Sequence, residues 1–477
     1  MRFLLIYPPS EPFFIQKNRM FYGLSPPLGL LYIAKVLEAD GDTVSILDYS
    51  AEPFDEHKLI TAACAADAFG ISVLTPFYQQ TKQLIELIKQ HNPTKPIIIG
   101  GPHCLLFPKE ALRQTGAAIA VFGDGEQAIL ALKKRLMNKE DFQEIPGVVY
   151  QTDHGVNQGP ASELIADLNS IPFPARHLVK HAVYGREYNP FLKAGEFTSI
   201  ITSRGCPYRC RFCSRGSISM QQYRVRSTEN ILTELKEIQN QGYRHVAFVD
   251  DCFPVNTKKA SDLFDAIISE HLALRFSITA TRVDLADEEL YKKMRQAGVA
   301  HVQFGLESGN QDVLDFYNKH TSIEAIQNAV HLSHRIGFFT IGSFILGAPF
   351  ETIDHFKTTL AFAKTLPLDS VSFLPLRYMA GSDLWNRAVQ EGKITKDEYV
   401  VIADKDRGLG MYSKEELLRF CISTQQSFYM RPTFFITLLK KSLKNNDMSF
   451  MHSYLSVAFS SMKKIRKSAG KIRPILS

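Results

Sequence analysis

Three thiols stand in one short stretch, Gly205-Cys206-Pro207-Tyr208-Arg209-Cys210-Arg211-Phe212-Cys213, in a C-x3-C-x2-C spacing. Iron–sulfur clusters are normally held by four cysteine thiolates. Three thiolates with no fourth nearby would therefore leave one iron of a four-iron cluster without a protein ligand and open to a small molecule. Structural zinc is the competing chemistry, but such sites want four ligands, usually in paired C-x2-C units. The apolar run Thr198-Ser199-Ile200-Ile201-Thr202 comes just before the thiols and places them on a loop at the end of a strand.

Other polar groups recur at comparable places. Asp250-Asp251-Cys252-Phe253, Thr281-Arg282-Val283-Asp284, Gly305-Leu306-Glu307-Ser308-Gly309 and Gly347-Ala348-Pro349-Phe350-Glu351-Thr352 each follow an apolar run. The runs predict strands at Thr198–Thr202, His245–Val249, Phe276–Ala280, His301–Gly305, Thr340–Leu346 and Ser370–Leu374. Helical patterns lie between them. In Thr228–Gln241, for example, Ile231, Leu235 and Ile238 share a face, Ser227 or Thr228 caps the start and Gly242 ends it. Six such units predict a partial (β/α)6 barrel, and in parallel barrels the strand ends and the loops after them build the site. Helix capping accounts equally well for Asp250 and Asp251, and Cys252 reads as a small buried hydrophobe.

The first 140 residues alternate in the same way. Strands are expected at Arg2–Tyr7, Thr43–Leu47, Ala68–Val73, Pro96–Ile99 and Ala118–Phe122, with helices such as Leu28–Glu38 and Gln79–Gln90 between them. This predicts a doubly wound, flavodoxin-like parallel sheet, whose ligand sits beyond the carboxyl ends of the strands. The loops there contain Leu74 and Thr75, then Gly100, Gly101 and His103, then Gly123, Gly125 and Glu126. Glycines in such loops allow close approach of the backbone to a bulky ligand, or simply make turns.

The cysteine loop, with an aromatic before its third thiol, closely resembles the signature of radical S-adenosylmethionine (SAM) enzymes. The stretches PPLGLLYIAKVLEADG, IIIGGPHCLLFPKEAL and VFGDGEQAIL resemble the cobalamin-binding domain that precedes that motif in cobalamin-dependent members, and FVDDCFP, TATRVD, FGLESGNQDVL and FILGAPFET match the same family further on. The family includes hopanoid and other class B methyltransferases and the anaerobic magnesium-protoporphyrin ester cyclase. The resemblance implies a [4Fe–4S] cluster on Cys206, Cys210 and Cys213, with SAM chelating the open iron and cleaved reductively to a 5′-deoxyadenosyl radical. It further implies SAM contacts from Phe212 (adenine), Asp250, Arg282 (carboxylate), Glu307 (ammonium) and Ser308. Cobalamin contacts are implied for Leu74, Thr75, Gly100, Gly101, His103, Gly123, Gly125 and Glu126. The D-x-H-x-x-G signature of domains that ligate cobalamin by histidine is absent, so cobalamin is expected without a protein histidine ligand. His103 lacks the preceding Asp and following Gly of that signature and also reads as a hydrogen-bonding or packing residue.

The implied reaction is methyl transfer to an unactivated carbon of a small-molecule, lipid or peptide substrate. A low-potential donor such as flavodoxin or ferredoxin would supply electrons. Oxidative cyclisation or rearrangement is the non-methylating alternative. A radical SAM enzyme whose first domain has lost cobalamin is another, and a cobalamin or iron–sulfur sensor lacking catalysis belongs to a different class.

The expected layout is a cobalamin domain (1–140), a connector with a small hairpin (141–195), the barrel (196–395) and a helical C-terminal region (396–477). Length and composition fit a soluble protein of two or three domains, with 45% hydrophobic and 22% charged residues. Seven cysteines, three in one loop, suit a reducing cytoplasm better than a secreted disulfide framework. No signal peptide is read at the N-terminus, and no run approaches the roughly 20 apolar residues of a membrane helix. Of the formal charge of +6, residues 432–477 carry nine Lys/Arg against one acid, so the rest of the chain is near −2. The tail, with Lys463, Lys464, Arg466 and Lys467, reads as a solvated charge run, with peripheral membrane contact as the alternative. No aromatic-interleaved groove supports nucleic acid as a partner.

Overall fold

The computed structural model describes residues 1–9, 25–186, 188 and 192–431, with 434, 436, 439 and 443 singly. The basic tail read for membrane contact lies outside the described residues. Two compact units form. One comprises Met1–Tyr184, Lys193–Ser199 and Arg224–Asn230; the other comprises Gly185–Leu192, Ile200–Tyr223 and the chain from Ile231 onward.

The first unit runs β1 (Arg2–Tyr7), α1 (Leu28–Ala39), β2 (Thr43–Asp48), α2 (Glu56–Ala65), β3 (Ala68–Ser72), α3 (Tyr78–His91), β4 (Ile97–Gly100), α4 (Pro102–Leu106), α5 (Pro108–Thr115), β5 (Ile119–Val121), α6 (Gly125–Asn138), β6 (Val148–Thr152) and β7 (Gly155–Gln158). The sheet order is β2-β1-β3-β4-β5-β6-β7, parallel through β5. Strand β1 lies between β2 and β3 and is apolar on both faces, with Phe3, Leu4, Leu5 and Ile6 all buried, as a sheet covered on both sides requires. Leu30, Ala34 and Leu37 of α1 and Leu132 of α6 close one face over Phe3, Leu5 and Ile119. The order reverses between β1 and β3, the switch point at which doubly wound sheets open a crevice. The hairpin expected in a connector is instead β6–β7, paired antiparallel onto β5 and extending this sheet. The apolar run Val148–Tyr150 reads the same from sequence whether the hairpin stands alone or joins an edge, and all three residues are buried.

The second unit contains β8 (Phe197–Ile200), β9 (Ser203–Arg204), α7 (Arg215–Ile218), β10 (Arg224–Val225), α8 (Thr228–Asn240), β11 (His245–Phe248), α9 (Thr257–Ser269), β12 (Arg275–Thr281), α10 (Glu288–Gln296), β13 (Val299–Glu307), α11 (Gln311–Phe316), α12 (Ile323–Ile336), β14 (Phe339–Leu346), α13 (Ile353–Thr365) and β15 (Ser370–Pro375), allowing for the short pieces that cluster with the first unit. Its parallel sheet has the order β15-β14-β13-β12-β11-β8, a six-stranded partial barrel. Capping explains its helix limits. Ser322 accepts from the Ala325 N–H to begin α12, and Gly337 at φ +95° ends it in the left-handed region open to glycine. Burial alternates along β14 and β15: Phe344 and Phe373 stack on the covered face, while Ile341, Ser343, Ile345, Ser372 and Leu374 occupy the open one.

After β15 come β16 (Arg377–Met379), α14 (Asp383–Gln390), β17 (Val400–Ile402) and α15 (Lys414–Tyr429), with β16 and β17 pairing antiparallel. The region expected to be helical from residue 396 thus begins with a strand. Helix α15 covers the edge of β15: the Tyr429 hydroxyl accepts from the Val371 N–H and donates to the Val371 carbonyl, both at 2.9 Å, and Gln425 accepts from the Phe373 N–H. Among the described residues no helix is long and apolar enough to cross a membrane.

Candidate active site

Gly205 opens the cysteine loop at φ +95°, and a Cβ there would overlap the Gln222 carbonyl and lie 2.9 Å from Ser219 Cβ. Only glycine lets the two ends of the loop close together. The segment leading into the loop is anchored from below by Asp250, which is buried. Its Oδ1 accepts from the Thr202 N–H (3.0 Å), the Thr202 hydroxyl (2.8 Å) and the Ser203 hydroxyl. Burial raises this carboxyl to about 6 against the pull of those hydrogen bonds. The bonds found for Asp250, expected at SAM, are therefore to the framework. It caps no helix either, since Asn256 starts α9. Asp251 instead pairs with Arg215 at 3.1 Å.

The far side of the loop is held by the segment after α11. The Arg211 N–H donates to the Tyr317 carbonyl (2.9 Å), Arg211 Nη1 to the Phe316 carbonyl (3.0 Å) and Asn318 Nδ2 to the Arg209 carbonyl (3.1 Å). All three cysteines are free and half-buried. Burial pushes the Cys213 thiol up to about 11 and raises Cys210, while a hydrogen bond from the Cys252 thiol holds Cys206 down at about 7. Cys252 is buried, as read, but it also touches the site. The three loop thiols lie near enough to raise one another's pKa electrostatically. Among the described residues, no three His, Cys, Asp or Glu side chains converge tightly enough to share one metal ion. Three neighbouring but separate thiols on one closed loop fit a four-iron cluster, which offers each a different iron.

Charged side chains border the thiols. Arg282 is buried, stacks over Tyr208 at 3.7 Å from the ring centroid, and donates from Nε and Nη2 to Asp284 (2.8 and 3.0 Å) and from Nη2 to the Lys319 carbonyl (2.7 Å). Glu307 sits at φ +62° where the β13–β14 register slips, an unusual conformation for a glutamate. Its carboxylate pairs with Lys319, whose ammonium also donates to the Gly305 carbonyl at 2.8 Å. Both side chains are buried. Phe212 meets Tyr317 edge-on at 5.2 Å. Ser308, expected at SAM, is fully buried, with its hydroxyl 3.3 Å from Thr359 Oγ1 and accepting from the Asn310 N–H. The hydroxyl is used inside the fold. Sequence reasoning missed Lys319, Tyr317 and the cation–π role of Tyr208. Tyr208 and Asp284 stood within quoted motifs, but nothing in the spacing of Asn318-Lys319-His320 marked Lys319.

In the first unit, the loops carrying Leu74 and Thr75, Gly100 and Gly101, and Gly123 and Gly125 follow the neighbouring strands β3, β4 and β5. The glycines are tight against the protein itself. A Cβ at Gly101 (φ +101°) would meet Val73 and Ser72 at 3.2–3.3 Å, and one at Gly123 would overlap Ser162. Close approach at these two positions is between protein segments. Asp124, between Gly123 and Gly125, pairs with Arg224 and accepts from the Ile165 N–H at 2.9 Å. His103 is wholly buried between Tyr78 and Phe107 (ring centroids at 4.1 and 5.5 Å), with Nδ1 3.3 Å from Thr75 Oγ1. Burial lowers its pKa to about 4, so the ring is neutral. Glu126 is also buried. Leu74 and Thr75 stay half-exposed beside the switch point, a neutral surface that fits a flat cofactor face needing no histidine.

The family of radical SAM proteins matches residues 200–363 by its model, and the B12 binding domain matches residues 19–133. The chain is 29% identical over 439 residues to an uncharacterized methyltransferase of Pyrococcus horikoshii, covering 91% of this chain and 93% of the relative. It is 25% identical to cytidylyl-2-hydroxyethylphosphonate methyltransferase of Streptomyces wedmorensis (85% and 86%), and 27% identical to anaerobic magnesium-protoporphyrin IX monomethyl ester cyclase of Rubrivivax gelatinosus (86% and 74%). Among solved structures, the radical SAM methyltransferase TsrM of Kitasatospora setae superposes with TM-score 0.72 at 17% identity, covering 98% of this chain and 99% of that one. The cobalamin-dependent enzyme OxsB gives 0.69 at 18% (95% and 72%). These two likenesses establish the shared fold. A three-cysteine loop at the strand ends of a parallel half-barrel makes this an enzyme of the radical SAM class. With its B12 binding domain, the chain belongs to the cobalamin-dependent radical SAM family, which holds class B methyltransferases and the magnesium-protoporphyrin cyclases.

Proposed function

We propose that this enzyme binds a [4Fe–4S] cluster, SAM and cobalamin, and transfers a methyl group to an unactivated carbon of a small molecule. The observation that carries the reading is the closed loop of three thiols beside Arg282, Glu307 and Lys319, at the carboxyl ends of the half-barrel strands. When bound, the cluster supplies the electron that opens SAM, and cobalamin carries the methyl group; the protein contributes binding, orientation and exclusion of water. Cys206, Cys210 and Cys213 hold the cluster, Phe212 lies towards the adenine, and the buried charges around Glu307 receive the methionyl end of SAM. Leu74 and Thr75 face cobalamin, with no histidine ligand.

The open face of β14 and β15, with Ile341, Ser343, Ile345, Ser372 and Leu374, carries no charge. That favours an uncharged, largely apolar substrate group there, with electrons from a low-potential carrier such as flavodoxin or ferredoxin. The test is the protein purified anaerobically from cobalamin-fed cells and reconstituted with iron and sulfide. About four irons and about one cobalt per chain are expected. With reductant, SAM yields 5′-deoxyadenosine and S-adenosylhomocysteine, and Cys210→Ala yields no 5′-deoxyadenosine. Four irons without cobalt would remove the methyl carrier and leave hydrogen-abstraction chemistry, cyclisation included. Failure to cleave or demethylate SAM would leave only a sensor or carrier.

A further inference from the structure

We propose that Cys252 tunes the iron–sulfur cluster: its thiol donates a hydrogen bond to the Cys206 sulfur and raises the potential at which the cluster takes up an electron. The inference rests on the cluster reading above and concerns a residue outside the three-cysteine loop. Its placement comes from the loop after β11, where three consecutive side chains meet the cysteine loop at three points. Asp250 holds the entry through Thr202 and Ser203, Asp251 pairs with Arg215 just past the last thiol at 3.1 Å, and Cys252 reaches Cys206 between them. The Phe253 N–H, donating to the Ala280 carbonyl at 2.9 Å, ties the next residue to the end of β12. Cys252 is therefore gripped on both sides, and its thiol is held against the first cluster cysteine.

The donors to the loop sulfurs differ in kind. Cys213 accepts from the Arg215 N–H at 3.5 Å, and Cys206 accepts from the Tyr208 N–H; both are backbone groups that any residue but proline would supply. The bond from Cys252 comes from a side chain, so it depends on the residue type at 252. At 4% exposure the thiol keeps its proton and has one hydrogen bond to give. The Pro254 carbonyl stands 4.0 Å from the same sulfur, a long contact to a neutral acceptor, whereas a cluster-bound Cys206 is a thiolate and the stronger acceptor. Reduction brings one electron from the low-potential carrier and makes the cluster and its thiolates more negative. A donor aimed at one of those sulfurs stabilises the reduced form more than the oxidised one, and hydrogen bonds to the sulfurs are among the influences that set such potentials. For packing alone, any small apolar residue would serve at this position. The contact with Cys206 gives the S–H group a task that alanine or valine could not perform.

The experiment is a potentiometric titration of the reconstituted, full-length, anaerobic protein, with the reduced cluster read by electron paramagnetic resonance and iron counted per chain. Cys252→Ala and Cys252→Val remove the donor, and Cys252→Ser keeps one in a side chain of similar size. Cys252→Ala and Cys252→Val should each lower the equilibrium constant for reduction by about threefold or more, a fall of roughly 30 mV in midpoint potential for one electron, with iron content unchanged. Cys252→Ser should stay closer to wild type than either. A midpoint unchanged in both Cys252→Ala and Cys252→Val, or one shifted as far down in Cys252→Ser as in Cys252→Val, would overturn the inference. Loss of iron from all three variants would overturn it too, by making Cys252 a ligand or a structural support of the loop. A wild-type protein that takes up no four-iron cluster fails the proposed function itself; a normal cluster whose potential ignores residue 252 fails this inference alone.

Discussion

Replacing Asp250 by asparagine or alanine separates two things this carboxylate does: holding the entry to the cysteine loop and carrying a buried charge. Three strong bonds converge on Oδ1, from the Thr202 N–H, the Thr202 hydroxyl and the Ser203 hydroxyl. An asparagine carbonyl in that place keeps them; alanine leaves three buried donors without an acceptor, at about 1–3 kcal/mol each. Asp250→Ala should therefore destabilise the second unit by about 3 kcal/mol or more. The carboxyl is raised from 3.8 to about 6. A raised acid binds its proton more tightly folded than unfolded, so stability is greatest below pH 3.8 and falls as pH rises through 6. Worked through, ionisation costs about 2 kcal/mol at pH 5 and about 3 kcal/mol at pH 7.5. Asp250→Asn lacks that cost at either pH, so its stability relative to wild type should improve by about 1 kcal/mol from pH 5 to pH 7.5. The assay is urea unfolding of the apoprotein followed by tryptophan fluorescence. Trp385 is the single tryptophan, and it is buried in the second unit with Nε1 donating to the Glu398 carbonyl at 2.8 Å. A gap between wild type and Asp250→Asn that stays constant across that pH range would refute the reasoning.

Gly205→Ala should keep its circular dichroism but lose most of its iron on reconstitution, because the loop ends can no longer close against Gln222; full iron content would show that the loop tolerates opening. Cys252→Ala removes the hydrogen bond that holds Cys206 near 7. Alkylation of Cys206 in the apoprotein at pH 7, read by peptide mapping, should slow by about tenfold or more as the thiolate fraction falls. Tyr429→Phe deletes the clip on Val371 and should lower stability by about 1 kcal/mol in the Trp385 unfolding assay.

The eleven parallel strands expected from apolar runs are all present, within a few residues, because each run is buried on a face or on both and periodicity reads burial directly. What the sequence left undecided was partnership. Val148–Thr152 had the pattern of a strand, yet its pairing with β5 depends on a neighbour some thirty residues away. The same holds at the site. Cys206, Cys210 and Cys213 were legible because their chemistry is local, within eight residues. Asp250 and Ser308 were legible as polar groups near strand ends, but not as side chains turned inward to Thr202 and Thr359. Lys319 was illegible because its role arises only when the chain folds back across Gly305.

The clip of α15 on β15 has a consequence for how this protein is cut and handled. A half-barrel, unlike a closed one, ends in a strand whose backbone groups invite another strand to join. Here Tyr429 and Gln425 occupy those groups. A fragment ending before residue 414 would keep the three loop cysteines and every strand of the barrel, yet leave that edge bare. Such a truncation is expected to self-associate along β15, so the shortest form worth expressing extends through residue 431.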